Sequence, residues 1–312
     1  MHIALQVKNL KLAKLLIKAG ADLHLKNEDH ISALELLLID DDANDIIREL
    51  IDNDIIDVNY QTASGKHLLH IAIEKSVSNT ENIELLIKKG SDVNADFKGQ
   101  SVLDFAIIDR YIKKDDTASL NAKIVASLIY NGAKIQSDAL LKLFSNISPG
   151  NRDKQTKLKI AKLLLEKNGN KCINAVDENG NTPLHLALAN NFEIAFIRLL
   201  IENNADLNHQ DKNGGTAIQI AANKHNEKIM ELLLRSGANP YIVNHEGYDT
   251  FYYANHELEG SHTENSIFVL LAKYSQAKLA SMNHTLDESD FYNACEEIKT
   301  FHIAHDTLVF KH

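Results

Sequence analysis

Asp177-Glu178-Asn179-Gly180-Asn181-Thr182-Pro183-Leu184-His185-Leu186-Ala187 is followed 34 residues later by Asp211-Lys212-Asn213-Gly214-Gly215-Thr216-Ala217-Ile218-Gln219-Ile220-Ala221, and 33 residues further on by Asn244-His245-Glu246-Gly247-Tyr248-Asp249-Thr250-Phe251-Tyr252-Tyr253-Ala254. Looser copies stand upstream, at Ser64-Gly65-Lys66-His67-Leu68-Leu69-His70-Ile71-Ala72 and Lys98-Gly99-Gln100-Ser101-Val102-Leu103-Asp104-Phe105-Ala106. A second signature lies between the copies, as in Leu85-Leu86-Ile87-Lys88-Lys89-Gly90-Ser91-Asp92-Val93-Asn94 and Leu199-Leu200-Ile201-Glu202-Asn203-Asn204-Ala205-Asp206-Leu207-Asn208. It recurs at Leu15–Leu23 and Leu232–Asn239. Periods of this length mark a protein assembled from stacked supersecondary units.

Each position in the unit has a physical reason. Thr182 is placed to cap a helix whose first turn holds Pro183, where a missing N–H costs nothing and φ is already set. Leu184, Leu186 and Ala187 are expected to face inward. Ile194, Ile197, Leu200 and Ile201 fall at helical spacing, so a second, antiparallel helix covers the first. Gly20, Gly90, Gly132, Gly237 and Asn204 stand where a residue tolerant of positive φ ends that helix. The stretch from there to the next motif is a projecting hairpin. One unit cannot bury its own apolar face, so stability comes from stacking along one axis.

These motifs resemble the ankyrin repeat, with Thr182-Pro183-Leu184-His185-Leu186-Ala187 matching its T-P-L-H-x-A signature in full. The resemblance covers about residues 1–255 in seven or eight copies. It implies an all-α solenoid of helix-turn-helix repeats with short hairpin fingers and a helical C-terminal cap. It also implies that His70 and His185 hydrogen-bond the backbone of neighbouring loops rather than act as catalysts. Partners of this family touch the fingertips and the exposed side of the first helix. Those positions here are Ala63, Ser64 and Lys66; Phe97, Lys98 and Gln100; Glu178, Asn179, Asn181 and Asn190; Lys212, Asn213, Gly215 and Asn223; and His245, Glu246, Tyr248 and Asn255. Phe97 and Tyr248 are the best anchor candidates, since an aromatic ring offers large area at low entropy cost, with packing of each against its neighbouring finger as the alternative.

Spacing shows where the array departs from its pattern. From the motif alanine to the helix terminator the interval is 16 to 18 residues for Ala4, Ala72, Ala187 and Ala221, but 26 from Ala106 to Gly132. The surplus falls in Arg110–Asn121, which predicts an extended first helix or a loop. Only twelve residues then separate Gly132 from Phe144, the counterpart of the motif alanine. That fifth repeat should lack its finger, with Ser137 or Asp138 capping a helix directly. Its interhelix segment, Ser145–Thr156, is again long. The expected organisation is an array over 1–259, divided into an N-terminal block (1–136), a degenerate repeat (137–176) and a regular block (177–259). A last helix plus cap follows over 260–312. Residues 1–6 read as a repeat entered in mid-motif, either a stripped-down cap or the start of a fragment. Asn265–Tyr274 can serve as the last second helix. Thr285-Leu286-Asp287-Glu288 reads as a capping box opening a helix with Phe291, Ala294, Ile298 and Phe301 on one face.

Composition narrows the function. With 33 bases against 43 acids the net charge is −10, so the chain lacks the basic field that phosphate-binding surfaces need, and nucleic acid is not expected as a partner. No apolar run reaches the ~18–20 residues of a membrane span, and no signal pattern opens the chain. Cys172 and Cys295 make no disulfide framework, which fits a reducing compartment. No Gly-rich phosphate loop appears, so no cofactor is expected. His256-Glu257 lacks the second histidine of a zincin helix. His302 and His305 with Cys295 form no tight metal pattern, and Cys172 has no base assigned by any motif. The eight acids of 40–57 read as a solvated face, with a docking patch for a basic partner as the alternative. The expected function is therefore a non-enzymatic, monomeric scaffold binding a partner protein. The five arginines against 28 lysines suggest an AT-rich genome, and with the irregular copies, long inserts and absence of other domains the chain resembles the ankyrin-containing effectors of intracellular bacteria, which implies work in the cytoplasm or delivery into the host cytosol. The alternatives are the recognition part of a larger enzyme or toxin, and a hydrolase using Cys172 or the tail histidines.

Overall fold

Every repeat has to start a short helix, and several do so with a side chain that satisfies the first free N–H groups. In the computed structural model, which describes residues 1–74, 80–108, 118–145, 154–255, 269–271 and 273–275, Thr182, Ser32 and Ser101 open helices with reciprocal capping boxes, and Pro183 takes the first helical turn. The expected tail cap from Thr285, the tail histidines, Cys295 and His256-Glu257 lie outside the described residues, as do 109–117 and 146–153 of the two long interhelix segments. Residues 269–271 and 273–275 are helical, overlapping the segment Asn265–Tyr274 read as the last second helix and running one residue past it.

The chain divides into two units, Met1–Gly169 and Asn170–His312. In the first, short leading helices α1 (His2–Gln6), α3 (Ala33–Ile39), α5 (Leu68–Glu74), α7 (Val102–Ile107) and α9 (Ala139–Ser145) alternate with α2 (Leu10–Lys18), α4 (Asn44–Asp52), α6 (Glu81–Lys88), α8 (Ala118–Tyr130) and α10 (Lys154–Asn168). In the second, α11 (Pro183–Ala189), α13 (Ala217–Asn223) and α15 (Thr250–Asn255) alternate with α12 (Ile194–Glu202) and α14 (Glu227–Arg235). Leading helices pack on leading helices, α5 on α7 and α11 on α13, and second helices on second helices, α4 on α6 and α12 on α14. The seam between the two layers is fully buried, with Leu37, Leu50 and Ile51 in the first unit and Phe196, Ile197 and Leu200 in the second.

Two inward assignments are corrected. Leu186 is half-exposed, because the position before the motif alanine points along the outer side of the leading helix. Ile194 is likewise exposed at the start of α12, and Phe196 fills the seam in its place, edge-on to Phe192. The terminators behave as their residue types require: Gly20, Gly90, Gly132, Gly237 and Asn204 all adopt positive φ.

One repeat lacks the letters of the motif. Asn27-Glu28-Asp29-His30-Ile31-Ser32-Ala33-Leu34-Glu35-Leu36-Leu37 runs into α3, with His30 in the left-handed position (φ 60°) where the better copies carry glycine. The acids of 40–57 belong to this repeat. Asp45, Glu49 and Asp52 lie on the outer side of α4 and Asp54 and Asp57 in the loop after it, with Asp40 and Asp42 in the turn before it, while Ile46, Ile47, Leu50 and Ile51 face inward. Several meet bases of neighbouring repeats, Glu49 with Lys18 and Asp54 with Lys89. The first helix at Ala106 is not extended, since Ile108 leaves it in an extended conformation. Part of the surplus instead lengthens the second helices: α8 has 13 residues and α10 has 15, against 9 in α12.

Candidate interaction surface

The fingers are closed by their own first residue. Asp177 Oδ1 accepts from the N–H groups of Asn179 and Asn181, both at 2.8 Å, and Asp211 does the same for Asn213 and Gly215. Asn244 repeats the pattern toward Glu246 and Tyr248, and Asn27 toward Asp29 and Ile31. Burial opposes the charge on Asp177, but the hydrogen bonds from Asn181 and Asn179 outweigh it and hold the carboxyl below its ordinary range. In the second unit the fingers are also tied to each other. Lys212 N–H donates to Asn179 O at 3.0 Å, and His245 N–H donates to Asn213 O at 2.9 Å. This close approach explains the glycines: a Cβ on Gly214 would lie 2.8 Å from His245 N, and one on Gly180 would lie 3.0 Å from Lys212 N. The third finger is a short antiparallel ribbon, β1 (Asp96–Phe97) with β2 (Gln100–Ser101). The fifth repeat has no strand or bridge between Gly132 and Ala139, and Asp138 O accepts the first helical bond, from Lys142 N–H, so the finger is missing as expected.

Within each unit the motif histidine position forms a column that joins most repeats to the next. His2 Nε2 contacts Ile31 O at 3.0 Å, and Glu35 accepts from Ala63 N–H at 2.9 Å. Asp104 has no finger ahead of it and pairs instead with Lys142, the same position of the fifth repeat, at 2.8 Å. His185 Nδ1 accepts from Thr182, leaving Nε2–H to reach Gly215 O at 3.4 Å. Gln219 donates to Ile242 O at 2.7 Å and Tyr248 O at 3.1 Å. His70 departs from the expectation. It is fully buried, against the edge of Phe105, and neither ring nitrogen makes a hydrogen bond, although the corresponding Gln100 carbonyl stands on that side. A second column ties the other end of the repeats: Asn59 accepts from Asp92 N–H, Asn94 from Lys134, Asn174 from Asp206 and Asn208 from Asn239, all at 2.7–2.8 Å. The recurring Asp-x-Asn of the second signature was its signal at Asn59, Asn94 and Asn208, while Asn174 follows Cys172-Ile173 instead.

Of the expected contact residues, Ala63, Ser64, Lys98, Glu178, Asn179, Lys212, Asn213, Asn223, His245 and Glu246 are exposed. Lys66, Phe97, Gln100, Asn181, Asn190, Gly215 and Tyr248 are half-buried, and the side chain of Asn255 lies outside the described residues. Phe97 packs against His70 and Phe105, with the ammonium groups of Lys66 and Lys98 5.1 and 5.2 Å from its ring centre. Lys66 also pairs with Glu74 at 2.7 Å. Tyr248 lies flat on Tyr252, the ring centres 3.7 Å apart. Leu186 and Ile220 were not among the expected contacts, yet both are half-exposed on the leading helices beside the fingers. Their shared place just before the motif alanine would have found them. Cys172 is fully buried, and no group of three or more His, Cys, Asp or Glu among the described residues is arranged to hold a metal ion. No helix among them is long and apolar enough to cross a membrane.

Comparison with known proteins agrees with this geometry. The start control protein cdc10 of Schizosaccharomyces pombe is 56% identical over 41 residues, 13% of this chain and 5% of that protein. The putative ankyrin repeat protein L92 of Acanthamoeba polyphaga mimivirus is 34% identical over 79 residues, 25% of this chain and 19% of that one. The matched segments are thus less than a fifth of either relative. Among solved structures, the human ASB11 ankyrin repeat domain aligns with a TM-score of 0.53 at 20% identity, covering 75% of this chain and 96% of that domain. The ankyrin repeat domain of Bcl-3 aligns at 0.52 and 19% identity, covering 73% and 92%. A family model described as ankyrin repeats (3 copies) matches residues 1–97 and 153–244. Since that match takes in more than half of the sequence and the helix pairs, fingers and motif columns are those of the repeat, the chain belongs to the ankyrin-repeat family.

Proposed function

We propose that the chain is a non-enzymatic scaffold that seats a partner protein on its fingertips and on the adjoining side of its leading helices. Ankyrin repeats are generally protein–protein interaction modules. The observation that carries the reading is the state of the second unit's fingers. Glu178, Asn179, Lys212, Asn213, His245 and Glu246 are exposed, while the backbone beneath them is fixed by side-chain closure and finger-to-finger bonds. Contacts presented from a preorganised backbone lose little entropy on binding. Leu186, Ile220 and the Tyr248–Tyr252 stack supply apolar area beside them. In the first unit Phe97, flanked by Lys66 and Lys98, plays the same part with Ser64 and Gln100.

The hydrolase alternative loses its described nucleophile, because a fully buried Cys172 sulfur meets no substrate. The effector reading rests on the resemblance of the irregular, insert-bearing copies and lysine-rich composition to ankyrin-containing effectors and sets the choice of prey, a eukaryotic cell lysate. Affinity capture with the wild type, with Lys98→Glu in the first unit and with Lys212→Glu/Tyr248→Ala in the second tests the proposal. A partner held by the wild type should be lost from at least one variant. Equal retention by both would remove the fingertips from recognition.

A further inference from the structure

The fingers of the second unit hold one another through backbone bonds, Lys212 to Asn179 and His245 to Asn213. The third finger, β1 with β2, stands differently. Among the described residues no hydrogen bond joins 96–100 to another finger, and the repeat after it is fingerless. Where the next finger would stand there is a cleft of about 340 Å³, lined by Asp96, Gly99 and Ser101 on one side and Gln136, Ser137 and Asp138 on the other. The ribbon is closed within itself by two residue pairs and by Gly99 N–H on Asp96 Oδ1 at 3.0 Å, and at its base by Val102 N–H on Ala95 O at 3.2 Å. It is fastened to the helices through Phe97, whose ring centre lies 6.1 Å from that of His70 and 6.2 Å from that of Phe105.

That fastening rests on a buried titratable group. His70 is fully buried, and neither ring nitrogen has a well-formed hydrogen bond, with the Gln100 carbonyl on that side. A neutral imidazole is accepted there as one more aromatic ring, edge-on to Phe105. An imidazolium would bring a charge and two N–H donors into the same site. Its surroundings do not welcome a cation. Lys66 and His67 precede α5 and repel it, Lys66 being drawn to Glu74, while Asp96 and the Gln100 carbonyl pull the other way. Lys98 stands over Phe97. The other carboxylates near α5 are engaged, Asp104 of α7 by Ser101 N–H and Lys142, and Glu35 of α3 by the N–H groups of Ser32 and Ala63. Helix α6 turns Asn82, Ile83, Leu86 and Ile87 inward and keeps Glu81, Glu84 and Lys88 exposed.

We propose that His70 is an acid-operated release for the third finger: when it takes a proton, Phe97 lifts off the ring and the ribbon turns about Ala95 and Val102 into the open cleft, where water reaches the imidazolium. Neutralisation reseats it. The opening is local, drawn from the least tethered finger of the first unit, and leaves the helices paired. Burial holds the closed-state pKa of His70 at about 4, below its ordinary 6.5. The closed ribbon is therefore favoured in full above pH 6.5 and loses ground as pH falls toward 4. The device belongs to the ribbon itself and holds whether or not Phe97 touches a partner.

Amide hydrogen exchange of the full chain at pH 7 and pH 5, corrected for the intrinsic effect of pH on exchange, reads the opening directly. With 6.5 for an exposed imidazole against about 4 in the closed ribbon, opening at Gly99 and Val102 should rise about twentyfold between the two pH values. Ile55 and Ala133, bonded to the ends of α4 and α8, should change far less, as should Lys212 in the second unit. His70→Phe should abolish the rise, and His70→Leu takes its place if circular dichroism at pH 7 shows that the larger ring is not accommodated. No rise at Gly99 and Val102 in the wild type would overturn the proposal, as would a rise that persists in the His70 variant. An equal rise at Ile55 and Ala133 would overturn it too, because the whole unit would then be loosening and not the finger.

Discussion

His70 and His185 hold the same place in the same motif, and both are fully buried, yet only one is bonded. His185 faces a finger whose backbone is closed by Asp211, with the neighbouring fingers tied to it at Asn179 and Asn213, and its two nitrogens find Thr182 and Gly215. His70 faces a ribbon whose Phe97 and Phe105 take up the space around the ring, and its nitrogens are left bare. The motif residue supplies the polar atom, and the next repeat decides whether it is satisfied. The two units thus differ in how their fingers are held: by a hydrogen-bonded lattice of fingers in the second, and by an aromatic and cationic cluster in the first.

The sharpest way to break this contrast is in the finger glycines. Gly65 and Gly214 both have positive φ, 84° and 77°, so alanine costs about 1–2 kcal/mol at either through backbone strain. At Gly65 an added Cβ meets nothing within 4 Å, whereas at Gly214 it meets the backbone of His245 and Asn244. Gly214→Ala should therefore also lose the His245–Asn213 bond, for a total of about 2–3 kcal/mol by urea unfolding, and speed exchange of the His245 amide. Equal losses at the two positions would show that the second unit's fingers are not locked.

Acid separates the units by a different route. Burial pulls His70 from its ordinary 6.5 to about 4; Gln100 O and Asp96 oppose the fall, and His67 and Lys66 add to it. The folded state refuses a proton that the unfolded chain takes below pH 6.5. The contribution is therefore complete above that pH and is lost as pH drops toward 4, by about 2 kcal/mol at pH 5. His185 shifts in the same direction, burial again being the largest cause, with Gly215 O holding it back. Urea midpoints at pH 7 and pH 5 should converge more in His70→Phe than in His185→Phe. A wild type as stable at pH 5 as at pH 7 would contradict the assignment.

Neutral-pH replacement follows. His185→Leu leaves Gly215 O and Thr182 without a partner in a buried site and should cost about 1–3 kcal/mol. His70→Leu removes two ring nitrogens with no well-formed hydrogen bond, only the Gln100 carbonyl standing on that side, and should cost less than His185→Leu. Chemical denaturation of the two variants side by side reads the difference.

The sequence made the regular copies legible because Thr182-Pro183 and the glycines at 180, 214 and 247 carry local signals, a cap and a left-handed turn, that need no neighbour. It hid the repeat at 27–39 because His30 occupies the left-handed turn and Ser32-Ala33 replaces Thr-Pro, so the physics survives while the letters change. The fingertips were legible as positions, since they fall at fixed offsets from the motif. Whether a tip is free was not: Lys66 is drawn to Glu74 and Phe97, and Tyr248 to Tyr252, by residues of other helices or repeats. The link from Asp104 to Lys142 was also out of reach, because it depends on a finger that is missing.

The smallest expected effect tests where the two units are alike. Lys89 Nζ donates to Asp52 O at 2.9 Å and pairs with Asp54 at 2.7 Å; Lys224 Nζ donates to Ala189 O at 2.6 Å and to Asn191 Oδ1 at 2.9 Å. Each lysine reaches back one repeat to a helix end whose following residue is left-handed, Asp54 or Asn191. A cation there meets the negative end of the helix dipole and a free carbonyl, but long exposed side chains give back much of that gain in entropy and screening. Lys89→Met and Lys224→Met should each cost about 0.5 kcal/mol by urea unfolding, with the Lys89 effect shrinking in high salt because it alone involves a carboxylate. A much larger loss at Lys224 would mean that the second unit is held more tightly at its helix ends as well as at its fingers, and the contrast drawn from His70 and His185 would then belong to the whole unit rather than to one face of it.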